Sequence, residues 1–106
     1  SKANCSPEIC DWIDTYESTF GNMPNIGSAY GYMYMDITAK ALEIAGRDLT
    51  TDSFLNALES INDYKIPFGD TILSWSSEKH LGANVAYLFE VQNGAFMQID
   101  NKEYTY

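Results

Sequence analysis

The chain has 106 residues, 45% of them hydrophobic and 14% aromatic, with 15 acidic residues against 6 basic ones and a formal net charge of -9. That describes one folded domain with a modest core, too short for two Rossmann-like lobes and too apolar for intrinsic disorder. The acid excess, with Arg47 as the only arginine, excludes a nucleic-acid binder, and no run of 18 apolar residues is present to insert into a membrane.

Ser1 stands where an initiator Met is expected, so the chain reads as processed, trimmed or tagged, and no basic segment leads into an apolar signal core. Cys5 and Cys10 flank a short turn, and a bridge and two free thiols both fit that spacing. With His80 as the only histidine, they supply too few ligands for a structural zinc site. Ser6-Pro7-Glu8 predicts a helix start: a hydroxyl cap, Pro at the first helical position and an acid in the first turn. Ile9, Trp12, Ile13, Tyr16 and Phe20 carry the helix over residues 7 to 20, and Gly21 ends it.

A second helix is predicted from near Ser28 to Gly46, with Tyr30, Met33, Ile37, Ala41 and Ile44 on one stripe that Tyr34 and Met35 widen. Thr50 or Thr51 caps a third, in which Phe54, Leu55, Leu58 and Ile61 face inward, ending by about Asn62. Pro67 and Gly69 then break the helical register, Thr71 to Trp75 reads as a short strand, and residues 76–79 as a polar turn. Val85 to Val91 reads as a strand apolar on both faces and therefore covered on both. Asn93-Gly94 is a two-residue hairpin turn returning the chain into Ala95 to Ile99, and 100–106 is expected as a loose tail. The whole, 1–106, is a single α+β domain: three helices followed by a short, mostly antiparallel sheet of about three strands with a C-terminal hairpin, the helices covering the sheet.

The residue chemistry offers no catalyst. His80 sits in a polar turn as a surface histidine, and the glycines never bracket a serine as a nucleophile elbow. Gly27-x3-Gly31 lacks the Gly-Lys-Ser/Thr of a phosphate loop. Asp11 with Asp14, and Glu8 with Asp11, have the spacing of a solvated helix face. The chain is therefore expected to hold no cofactor and no metal.

Several motifs in fixed order carry a resemblance. Tyr16-x3-Phe20-Gly21 precedes Pro24; Ala29-Tyr30-Gly31-Tyr32 opens a helix that finishes in Ala45-Gly46; Gly69-Asp70-Thr71-Ile72-Leu73-Ser74-Trp75, His80-Leu81-Gly82 and Tyr87-Leu88 follow. The stretch from Met23 to Ile99 thereby resembles the C-terminal part of type I periplasmic binding proteins, the branched-chain amino acid receptors of ABC importers. One departure is Met33, where the family usually has Asp.

The resemblance implies a non-enzymatic, extracytoplasmic solute receptor whose intact parent takes a small polar solute such as an amino acid and delivers it to an ABC permease. It also implies that Ala29, Tyr30 and Tyr32, beside the loop that approaches the cleft in that family, face the ligand. A tyrosine at helical spacing is more often a core residue than a ligand contact. Because the family clamps its solute between two lobes, the chain is expected to be part of a larger receptor, incompetent for ligand alone, and to bury its spare apolar surface as a homo-oligomer. The alternative is a small acidic protein-protein interaction module acting as a homodimer.

Overall fold

A computed structural model describes residues 5–69 and 71–106; the reading of Ser1 and the Asp70 of the Gly69 motif lie outside the described residues. The first helix, α1 (Pro7–Phe20), forms for the reasons its sequence gives. Ser6 Oγ accepts from the Ile9 amide, Pro7 occupies the first turn, and Gly21 closes the C-terminus in the left-handed region at φ 73°. Cys5 and Cys10 are joined in a disulfide with their Cα atoms 5.6 Å apart, which decides between the bridge and the free thiols. They occupy the positions before the cap and one turn inside it, where two apolar side chains ordinarily staple a helix start; here the staple is covalent.

The second helix, α2 (Ile26–Ala45), begins two residues before the expected start. Asn25 is its cap, and Ser28 is the third helical residue: Asn25 Oδ1 accepts from the Ser28 amide at 3.1 Å and Ser28 Oγ from the Asn25 amide at 3.3 Å. The Ser28 hydroxyl also donates to Tyr16 Oη at 2.9 Å, tying α2 to α1. The third helix, α3 (Thr51–Glu59), has the same reciprocal cap between Thr50 and Ser53. Its inner face carries buried Ala57, with Phe54 and Leu58 beside it; Leu55, expected inside, is 46% exposed because its phase points it away from α2.

Among the described residues six short strands follow rather than about three: β1 (Tyr64–Lys65), β2 (Ile72–Leu73), β3 (Val85–Ala86), β4 (Phe89–Gln92), β5 (Ala95–Gln98) and β6 (Tyr104–Thr105). They pair antiparallel as β1-β2, β3-β6 and β4-β5, three separate ladders in place of one sheet. The α+β class and the order of helices before strands hold. The β1-β2 ladder sets Tyr64 opposite Leu73, and both side chains join the core formed by Ile37 and Ala41 of α2, Ala57 of α3 and Ile61. Trp75 packs at its edge, its amide donating to the Ile61 carbonyl at 2.8 Å. Gly82 lies under the Trp75 ring so closely that a Cβ would meet Cζ2 at 2.5 Å.

The remaining strands make a ribbon. Val85 pairs Thr105, Ala86 pairs Tyr104, the Ile99 amide donates to the Leu88 carbonyl, and Val91 pairs Phe96 around Asn93 (φ 52°) and Gly94 (φ 79°), the positive-φ pair that a type I′ turn requires. The expected continuous strand from Val85 to Val91 is thus interrupted at Tyr87-Leu88, and the segment expected to be a loose tail supplies β6. Nor is that strand covered on both sides: every residue of β4 and β5 is exposed. The ribbon stands off the helices as an arm, and the Cα radius of gyration is 16.4 Å, against about 13 Å for a compact chain of this length.

Candidate functional site

Three aromatic rings from distant parts of the chain meet beside the start of α1. Trp12 of α1 lies edge-on to Phe68 of the β1-β2 loop with centroids 4.8 Å apart, and Tyr32 of α2 approaches both, at 5.6 Å from Trp12 and 5.9 Å from Phe68. Rings at these separations touch one another, so they form a wall rather than a cage around a cation. The wall bounds a solvent-open cleft of about 590 Å³ lined also by Ser6, Glu8, Ile9 and Lys65. Carboxylate and ammonium thus stand on one cleft beside an apolar surface.

The Glu8 carboxyl is held below the usual carboxylate range. Its own backbone amide at the helix start is the largest cause and the Ser6 hydroxyl the next; partial desolvation opposes them, and the positive charge of Lys65 adds a smaller lowering. An anion at neutral pH is what the first turn of α1 favours.

On the other side of Ile66 and Phe68 lies a narrower groove of about 180 Å³, lined by Ile26, Ala29, Tyr30 and Met33. Ala29, Tyr30 and Tyr32 are therefore not gathered in one site: Tyr32 faces the wide cleft, Ala29 and Tyr30 the groove, and the Ile66-Phe68 loop divides them. Tyr30 and Tyr32 are both exposed, and Tyr30 stacks on Tyr34 one turn on, with centroids 6.1 Å apart. Sequence spacing could not find Trp12, Phe68, Glu8 or Lys65 as partners of Tyr32, because β1 and the loop after it, which bring Lys65 and Phe68, belong to a pairing with no periodic signal.

His80 is remote from both openings. Its Nε2 lies 3.0 Å from Glu59 Oε1 on α3, and its side chain is 72% exposed. Among the described residues no cluster of three or more His, Cys, Asp or Glu side chains could hold a metal ion, and no helix is long and apolar enough to cross a membrane.

The chain matches the sequence profile of a family described as periplasmic binding protein over residues 3–95, most of its length. No curated protein and no solved structure matches it at a significant level.

Proposed function

The chain belongs to the periplasmic binding protein family, and on that premise we propose that it is a non-enzymatic, solute-binding part of a receptor that works outside the cytoplasm. The disulfide between Cys5 and Cys10 is in keeping with an oxidising compartment. The solute class we infer is a small polar molecule such as an amino acid, passed on to an ABC permease. Glu8 and Lys65, of opposite sign beside the Trp12-Tyr32-Phe68 wall, suit a zwitterion with an apolar side chain.

The observation that carries this reading is the family match taken with the positions of Ala29, Tyr30 and Tyr32 on two adjoining openings. Both openings are shallow. Small-molecule sites ordinarily bury 70 to 90% or more of the ligand, which needs an opposing wall. Residues 1–106 then act as one unit of a larger two-lobed receptor, weak for solute by itself, with its remaining apolar surface buried by self-association.

The test is a titration of the chain with leucine, isoleucine and valine, followed by calorimetry and by amide shifts in NMR. Expected are dissociation constants weaker than about 100 μM, with shifts centred on Ala29, Tyr30 and Tyr32. Tighter binding would overturn the need for a second wall; millimolar solute moving none of these amides would overturn the site.

A further inference from the structure

The face of α2 that enters the core does not stop where its cover stops. Ile37 and Ala41 are buried against α3 and β1-β2, and three- and four-residue steps backward from Ile37 lead to Tyr34, Tyr30 and Ile26 on the same side of the helix. Those three are 60%, 51% and 75% exposed. Met33, also four residues before Ile37, still packs on the core, so the first half of α2 is covered along Met33 and open along Ile26, Tyr30 and Tyr34, and the groove there, lined by Ile26, Ala29, Tyr30, Met33, Ile66 and Phe68, includes no residue of the arm.

The arm has a bare face of matching character. Cross-strand partners share a face, so Val91 and its partner Phe96 project together with Phe89, each more than half exposed. At its base Phe89 and Gln98 border an open cleft against Ile66 and Phe68 of the same copy, while Val91 and Phe96 reach beyond it; a two-stranded ribbon so little covered is marginally stable in water.

Charge separates these two surfaces from the rest of the molecule. Residues 18–35 form the longest uncharged run in the chain, and 84–99 carry only Glu90, while the molecule as a whole is at -9. The self-repulsion that keeps acidic chains apart is weakest at these two places.

We propose that two copies of this chain pair reciprocally, the Phe89-Val91-Phe96 face of each arm lying in the Ile26-Tyr30 groove of the other and over Tyr34, which stacks on Tyr30. A closed two-fold pairing buries both faces of both copies and leaves no free end for further growth. Six side chains per copy, each between 51% and 79% exposed, remove on the order of 1,200 Å² across the pair, the lower edge of specific interfaces. The inference rests on the reading above that the groove lacks its opposing wall, and the second arm supplies one.

Sedimentation of the full chain tests it, with Phe96→Glu in the arm and Tyr34→Glu beside the groove; both positions are exposed, and helical circular dichroism reports that each variant folds. The wild type is expected to be a dimer at roughly 100 μM, and each variant at least tenfold weaker. An equimolar mixture of the two keeps one of the two reciprocal contacts and recovers part of the dimer. A mixture no better than its components overturns the reciprocal geometry. So does a mixed-isotope NMR sample without contacts from the Phe96 ring to the Tyr30 or Tyr34 ring of another copy. A chain monomeric at every concentration overturns the pairing altogether while leaving the solute reading in place, whereas tight solute binding by the isolated chain removes the half-walled groove without touching the sedimentation result.

Discussion

Tyr64, 4% exposed at the centre of the core, sends its hydroxyl out to Asp36 Oδ2 at 2.8 Å, and the Lys40 ammonium lies over the same ring at 5.9 Å from its centroid. One residue of a two-residue strand thus binds the sheet to the solvent side of α2. Burial, and then the Asp36 carboxylate, raise the Tyr64 pKa well above its ordinary value of 10.0.

The pH dependence follows from that direction. The folded chain holds the Tyr64 proton more tightly than the unfolded chain, so this contribution to stability is fully present below pH 10 and is lost as pH rises above it. Urea denaturation at neutral pH and on either side of pH 10 is expected to show an alkaline decline that Tyr64→Phe flattens. At neutral pH that substitution costs about 1 kcal/mol for the lost hydrogen bond, since Asp36 remains hydrated.

Gly82→Ala is expected to destabilise by about 1–3 kcal/mol, because the new methyl would lie 2.5 Å from Trp75 Cζ2 and 2.8 Å from Cε2. The ring cannot retreat without leaving the core edge. Trp75→Leu in the same chain should recover part of the loss; a denaturation midpoint unmoved by Gly82→Ala would contradict the close approach.

How much of this was legible in the sequence differs from element to element. The start and end of α1 were written in Ser6, Pro7 and Gly21, each acting on its own neighbours. Ser28 reads as the start of α2 because its hydroxyl answers Asn25 from inside the helix, and either residue alone resembles a cap. The Tyr64–Lys65 strand was invisible, since two residues carry no alternation and their order comes from Leu73 and Ile72 across the ladder. The strand at Val85–Val91 was expected to be covered because apolar residues occupy both faces; their pattern records what the surface favours, not what this chain supplies. Ala29, Tyr30 and Tyr32 came from family likeness, and nothing local foretold that Phe68 would split them into two openings.

Thr50→Ala should cost about 1 kcal/mol by removing the acceptor of the Ser53 amide, which lies at 3.0 Å. Thr51→Ala, the other capping candidate, should be nearly neutral, because Thr51 is already the first helical residue. Thermal melts of the two variants distinguish them directly.

The covalent staple at α1 makes a separate prediction. Alkylation without reductant should label neither Cys5 nor Cys10, and after reduction both. Replacing the pair by serine closes no loop in the unfolded chain and is expected to lower stability by about 2 kcal/mol, the chain-entropy figure for so small a ring. Mass spectrometry reads the first and chemical denaturation the second.

The bare inner face of α2 has a kinetic counterpart. Amides near Ile37 and Ala41 exchange with deuterium only when the core opens, whereas those of the first turns, from Ile26 to Tyr30, are released by fraying, and those of the arm by ribbon opening alone. A single rigid rod of twenty residues should therefore record a slope of protection along its length, slow at one end and fast at the other.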